Sequence, residues 1–193
     1  MENMISQING STPWIWYLTR ASGLVAFIFL WLAVFLGLAI RNPFLKKIIA
    51  PVYSFGLHCF VSATAIFWAL VHATSLLFHG KFSLNAMEIF IPFYSKTTLV
   101  DTNYLALGII AFYAMIIMTV TSYLRSHLKH WLWRILHFLN PLAFVFVAVH
   151  GFMNGTDTKN AYIGGIFIAS SLFLILIYLS SLFFALKKRG DGN

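Results

Sequence analysis

The chain has 193 residues, of which 60% are apolar and 9% charged, with a mean hydropathy of +0.83 and a formal net charge of +8. That is too apolar for an ordinary water-soluble domain and points to a polytopic membrane protein. The 13 Lys and Arg residues lie scattered between long apolar runs, so the positive-inside rule accounts for them and a nucleic-acid partner is excluded.

Five stretches are long enough to cross about 30 Å of hydrocarbon. The first covers about 14–40 and ends at Arg41, Asn42 and Pro43. No Lys or Arg precedes Arg20, the run far exceeds the core of a secretory signal, and no small-residue cleavage site follows, so a retained helix is expected. The second covers about 48–78, long enough to tilt or to begin in the interface, and stops at Gly80. From Lys81 to Thr102 apolar residues are interrupted by Pro92 and a few charges; a short helix lying in the membrane interface is expected there. The third, fourth and fifth spans cover about 104–124, 131–153 and 162–186. These spans predict an all-α helical bundle of five transmembrane helices forming one domain over residues 1–193.

The basic residues set the orientation. Arg41, Lys46 and Lys47 lie between spans one and two, Arg125, Lys129 and Arg134 between three and four, and Lys187, Lys188 and Arg189 after five. Those three connections belong on the cytoplasmic side. The amino terminus is then outside, the carboxyl terminus cytoplasmic, and spans two and four run the same way, from cytoplasm to outside. The expected location is multi-pass in a cell (inner) membrane of bacterial type. Cys59 is the single cysteine, which excludes an intrachain disulfide, a Cys-x-x-Cys redox pair and covalent attachment of c-type haem.

Span two contains Leu57-His58 and Val71-His72, and span four repeats the outline as Leu136-His137 and Val149-His150. The steps are 14 and 13 residues, about 20 Å along a helix, so the histidines form two levels with one member from each span. His58 and His137 fall near the cytoplasmic ends, His72 and His150 near the outer ends. A polar side chain in hydrocarbon is costly without a partner. Imidazole is a good axial ligand for haem iron, whereas zinc and copper gather ligands into one coordination sphere. Residues 13 or 14 apart on a helix cannot share an ion; facing residues on two helices can share a flat macrocycle. The spacing therefore points to two cofactors, one per level.

At 100° per residue His72 returns to within about 40° of the His58 face, but His150 lies about 140° from His137 on an ideal helix. Pro141 lies between them and is expected to kink or unwind the helix. Phe55, Phe60, Phe67, Trp68, Phe138, Phe144 and Phe146 can pack against a porphyrin, although lipid-facing or core packing explains any single one equally well. Gly56 and Gly151 can permit close approach beside ligand positions. Arg20 and Arg134 are candidates to pair with haem propionates, with interfacial snorkelling the competing explanation. His79 and His130, each seven residues from a candidate ligand, rank first as interface residues, then as partners of the propionates or of the ligands, and last as alternative ligands. His127 is expected in a loop.

The paired histidine steps, together with Arg20-Ala21-Ser22-Gly23 opening the first span and Trp133-Arg134-Ile135-Leu136-His137 in the fourth, resemble the ferric reductase-like transmembrane domain family. That family includes the membrane part of NADPH oxidases, ferric reductases and the haem-binding membrane subunit of the bacterial methionine sulfoxide reductase system. The resemblance covers nearly the whole chain. It implies two b-type haems, the inner held by His58 and His137 and the outer by His72 and His150, and electrons passing from a cytoplasmic donor to an outer acceptor. The oxidases continue into a flavin and nicotinamide domain and have one more crossing; no flavin or NADPH domain is expected in this chain. A separate donor, a flavoprotein or a quinol, is then implied, with ferric iron, oxygen or a redox protein as acceptor. The expected role is the transmembrane electron-transfer component of a ferric reductase-type oxidoreductase. Two other classes remain open from the residues: a proton or ion permease using the histidines as a relay, and a structural or assembly subunit without haem.

Overall fold

A computed structural model describes residues 13–48, 51–78 and 84–190. His79 lies outside the described residues, as does Lys81. Among the described residues the regular structure is entirely helical: α1 (Pro13–Arg41), α2 (Leu45–Ile48), α3 (Pro51–Ser75), α4 (Ala86–Phe90), α5 (Thr102–Tyr123), α6 (His130–Phe138), α7 (Asn140–Asn154) and α8 (Ala161–Gly190). Five segments among the described residues are long and apolar enough to cross a membrane, namely Trp14–Ile40, Phe55–Phe78, Thr102–Tyr123, His130–Asn154 and Ala161–Phe184. In hydrocarbon every backbone N–H and C=O must be satisfied within the chain, and helices of this length do so.

α1 is the central helix. Its Phe27, Leu30, Val34 and Leu38 form a buried cluster with Ala65 of α3, Met115 of α5, Phe144 of α7, and Phe167 and Leu174 of α8. Phe27 stacks on Phe167 with ring centroids 4.0 Å apart and on Phe144 at 5.8 Å. Two polar ties hold α8 alongside α1: Trp31 Nε1 donates to the Ser170 carbonyl (3.0 Å), and Asn42 Nδ2 donates to Ser181 Oγ (3.0 Å) and Ser180 Oγ (3.3 Å). The same Asn42, 3% exposed, ends α1 by accepting the N–H groups of Phe44 and Leu45 on its Oδ1. A buried amide is tolerable only when so fully used.

The fourth span is not one helix. It breaks at Leu139, which joins α6 to α7. The cause is Pro141: it has no N–H to give, and in a continuous helix its ring meets the carbonyl four residues back, that of His137. The ladder restarts with Leu142 and Ala143 both donating to Leu139 O.

α1 pairs antiparallel with α3, as the contacts of Thr19 with Ser75 and of Ala33 with His58 require. α5 pairs antiparallel with α6 and α7 in the same manner, through Tyr104 with His150 and Ser122 with His137. At the His72 end, the segment between α3 and α5 contains the expected short helix, α4, started by a reciprocal pair of bonds between Asn85 and Glu88. Leu84 and Ile89 of this segment are each 4% exposed, and the Phe90 carbonyl accepts the Tyr113 hydroxyl at 2.9 Å. The turn from α7 to α8 is tied by Thr158 Oγ1, within 3.0–3.3 Å of the carbonyls of Gly151, Phe152 and Gly155.

Candidate functional site: two facing pairs of histidines

The four in-span histidines meet two by two. The rings of His58 (α3) and His137 (α6) have centroids 6.2 Å apart and planes at 75°; those of His72 (α3) and His150 (α7) are 6.3 Å apart at 80°. The helix break lets both α6 and α7 present a histidine to α3, overcoming the 140° offset of an unbroken helix.

Behind three of the rings the backbone repeats one device. His72 Nδ1 donates to the Thr19 carbonyl, His58 Nδ1 to the Ala33 carbonyl and His150 Nδ1 to the Tyr104 carbonyl, each at 2.8 Å. A carbonyl only accepts, so Nδ1 carries the proton and Nε2 keeps its lone pair in the neutral ring. One turn beyond each carbonyl stands a glycine. A Cβ on Gly23 would lie 2.9 Å from His72 Nδ1, one on Gly37 3.3 Å from His58 Cε1, and one on Gly108 2.7 Å from His150 Nδ1. A methyl would collide with the ring at Gly23 and Gly108 and crowd it at Gly37. Beside the fourth ring, Ser122 Oγ lies 3.4 Å from His137 Nδ1, and Trp133 stacks on His137 with centroids 5.2 Å apart and planes at 21°.

Around His72 and His150 lies a cavity of about 300 Å³, walled by Gly23, Leu24, Gly108, Phe112 and Val147 and closed by Leu84, Ile89, Phe90 and Leu99 of the α3–α5 segment. Arg20 and Asp157 stand at its rim. They form an ion pair in which Arg20 Nε donates to Asp157 Oδ2 at 3.0 Å and the terminal nitrogen bonds Oδ1. Arg20 also lies over Trp16, 5.7 Å from the ring centroid. The guanidinium, by its hydrogen bonds first and its charge second, holds the Asp157 carboxyl below the usual carboxylate range against the opposing effect of burial.

The arrangement fits an iron porphyrin clasped from both faces. If the Nε2 atoms of a pair shared one metal, bonds of about 2 Å, with each nitrogen roughly 1.1 Å in front of its ring centre, would set the ring centres about 6.2 Å apart. A direct N–H···N bond of about 2.9 Å between the rings would bring their centres to roughly 5.1 Å. The observed spacings match the first. Among the described residues no three His, Cys, Asp or Glu side chains gather to hold a metal ion.

Other expected residues take different places. Arg134 is exposed on α6, and His130 lies at the start of that helix, its ring 5.8 Å from Trp133. His127 lies in the α5–α6 turn, beside Ser126 Oγ at 3.1 Å. The sequence points to Gly56 and Gly151 for close approach to the ligands, but a Cβ on Gly56 would meet nothing within 4 Å, and one on Gly151 would meet Phe167, not a histidine. The glycines that admit the rings sit on the facing helices instead. Phe55, Phe60, Phe67 and Phe138 are exposed on the outside of the bundle, whereas Phe144 is 2% exposed and packs in the core between the two levels. Asp157, Ser122, Gly37 and Gly108 carry no mark in the sequence; only the 14-residue step between Gly23 and Gly37, equal to that between His58 and His72, could have singled out one of them.

A family model described as ferric reductase like transmembrane component matches residues 22–149. Neither a curated protein nor a solved structure matches the chain. The matched stretch begins at Ser22, beside the glycine behind His72, and ends one residue before His150. With a match over most of its length and a bundle of five apolar helices, this chain belongs to the ferric reductase-like transmembrane family, a class of membrane electron-transfer components.

Proposed function

We propose that this chain is a di-haem b-type membrane cytochrome that relays single electrons from a donor on the cytoplasmic side to an acceptor outside. Nε2 of His58 and of His137 hold the inner haem, and Nε2 of His72 and of His150 the outer one. Bound there, iron porphyrin supplies a reversible one-electron change between its ferric and ferrous states. Ligation by imidazole on both faces leaves no open position at the metal, so the chain directs the group to electron transfer and away from binding gas or substrate. The backbone carbonyls behind the rings fix the tautomer, and the apolar helices exclude water. Arg20 and Arg134 are assigned to the propionate edges, with Asp157 anchoring Arg20 at the outer rim. The donor is a flavoprotein or a quinol, the acceptor ferric iron, oxygen or a redox protein, and the setting a cell membrane of bacterial type.

The observation that carries this reading is the meeting of the histidines in two pairs at 6.2 and 6.3 Å, wider than a hydrogen-bonded imidazole pair. Protein purified from membranes should show a reducible b-type absorption band and two haems per chain, and His72→Ala or His150→Ala should lose one haem and keep the other. Colourless protein that conducts protons into vesicles would overturn the reading in favour of a histidine relay.

A further inference from the structure

Two residues at the rim of the cavity connect the supports of both rings inside it. Arg20 directly follows Thr19, whose carbonyl takes the N–H of His72 Nδ1 at 2.8 Å. Asp157 directly precedes Thr158, whose Oγ1 lies 3.3 Å from the carbonyl of Gly151, the residue after His150. The Arg20–Asp157 pair joins the two, with Nε donating to Oδ2 at 3.0 Å and the terminal nitrogen bonding Oδ1. A planar guanidinium meeting both carboxylate oxygens fixes direction as well as distance. α1, which supports His72, is thereby held to the turn that follows α7. The pair also sets two opposite charges on the wall of a cavity otherwise lined by such residues as Leu24, Leu30, Phe112 and Val147.

We infer that Asp157 is a positioning residue of the His72–His150 centre: through Arg20 it sets the charge at the cavity rim, and with it the reduction potential of that centre. The inference rests on the two-haem reading above. Reduction adds one electron to ferric iron, so a nearby cation favours the reduced state and a nearby anion the oxidised one. Arg20 alone would present a full positive charge to the cavity, and Asp157 offsets it. The centre is therefore harder to reduce than Arg20 by itself would make it. Apolar walls strengthen such an effect, while side-chain exposures of 34% and 15% let water and salt temper it. Arg20, by its hydrogen bonds first, holds the Asp157 carboxyl below the usual carboxylate range, so the anion is present at neutral pH. Around the pair, Tyr17 of α1 is near enough to Arg20 to act on its charge, and the exposed Lys159 lines the same cavity as His72 of α3 and His150 of α7. Glu88 of α4 is engaged by the Asn85 N–H and the Ser95 hydroxyl, and Asp101, before α5, by the Asn103 N–H.

The test is a redox titration of the purified, haem-loaded chain, followed by visible absorption, with the step that disappears in His72→Ala assigned to this centre. Asp157→Asn removes the anion and should favour reduction at that step by about tenfold, a rise of about 59 mV for one electron. Arg20→Gln removes the cation and should lower the step, and Asp157→Glu keeps the anion and should restore the parent's value. The gap between the parent and Asp157→Asn should close as pH falls through the lowered range of Asp157, because protonation then removes the same anion, and added salt should narrow it. The step of the His58–His137 centre should stay in place throughout. No shift in Asp157→Asn, or shifts of one sign in Asp157→Asn and Arg20→Gln, as general loosening would produce, would overturn the inference. If Arg20→Gln does not hold its outer haem, the acid range decides, and a gap that stays open there overturns the inference as well. A chain without haem would instead defeat the reading on which it rests.

Discussion

A histidine whose Nδ1 is tied to a backbone carbonyl can turn only as far as that bond allows, and the glycine one turn further along decides whether the ring fits at all. Gly108 shows this most sharply, because a Cβ there would come within 2.7–2.9 Å of three atoms of the His150 ring. In an ordinary helix interior Gly→Ala stabilises by about 0.5–1 kcal/mol, but forcing a methyl into a filled site costs about 1–3 kcal/mol. The second effect wins at Gly108 and is absent at Gly56. Gly108→Ala should therefore lower the haem content from two per chain to one, with His150 expelled from its place. Gly56→Ala should keep both haems and melt no lower than the parent. Equal haem content in the two variants would show that the glycine behind His150 is not there for the ring.

At the scale of elements, the histidine levels were legible because a 14-residue step and a proline between the second pair are written in the side chains. What the rings lean on was not. Backbone carbonyls are the same at every position, and a glycine beside a ligand in sequence, such as Gly56, looks more relevant than Gly37 or Gly108, which come close only through helix pairing. The Arg20–Asp157 pair was hidden for the same reason: 137 residues separate its members. It ties α1 to the turn between α7 and α8 at the rim of the cavity. Asp157 has a carboxyl held below its ordinary value by Arg20, so the pair's contribution is fully present above the ordinary carboxylate range and is lost as pH falls through the lowered value. In detergent, Asp157→Asn should melt below the parent at neutral pH, and the gap should close on acidification below that range. Side-chain exposures of 34% and 15% mean that solvent and salt weaken the pair, so added salt should narrow the gap as well. A gap constant across the acid range would show that the charge on Asp157 is not what ties the turn to α1.

Across the whole molecule, charge is divided between the two ends of the bundle. Arg41, Lys46, Lys47, Arg125, Lys129, Arg134, Lys187, Lys188 and Arg189 follow or flank the helices at the His58–His137 end, where the connections between helices contain no acidic residue. At the His72–His150 end, Lys96 and Lys159 are offset by Glu88, Asp101 and Asp157. Such a division orients a helical bundle as it is inserted, the basic end staying in the cytoplasm. Under the proposed function it would also decide which pair of histidines faces an intracellular donor, and hence the direction of the relay. A reporter enzyme that folds only outside the cytoplasm should be active when fused after Asn160 and inactive when fused after Lys129. A complementary reporter that needs the cytoplasm should give the reverse pattern. Lys129→Glu together with Arg125→Glu should weaken this preference without abolishing it, because the pairs at Lys46 and Lys187 remain. If the first reporter is active after Lys129 and silent after Asn160, then His72 and His150 form the donor side, and electrons enter where the cavity under α4 lies.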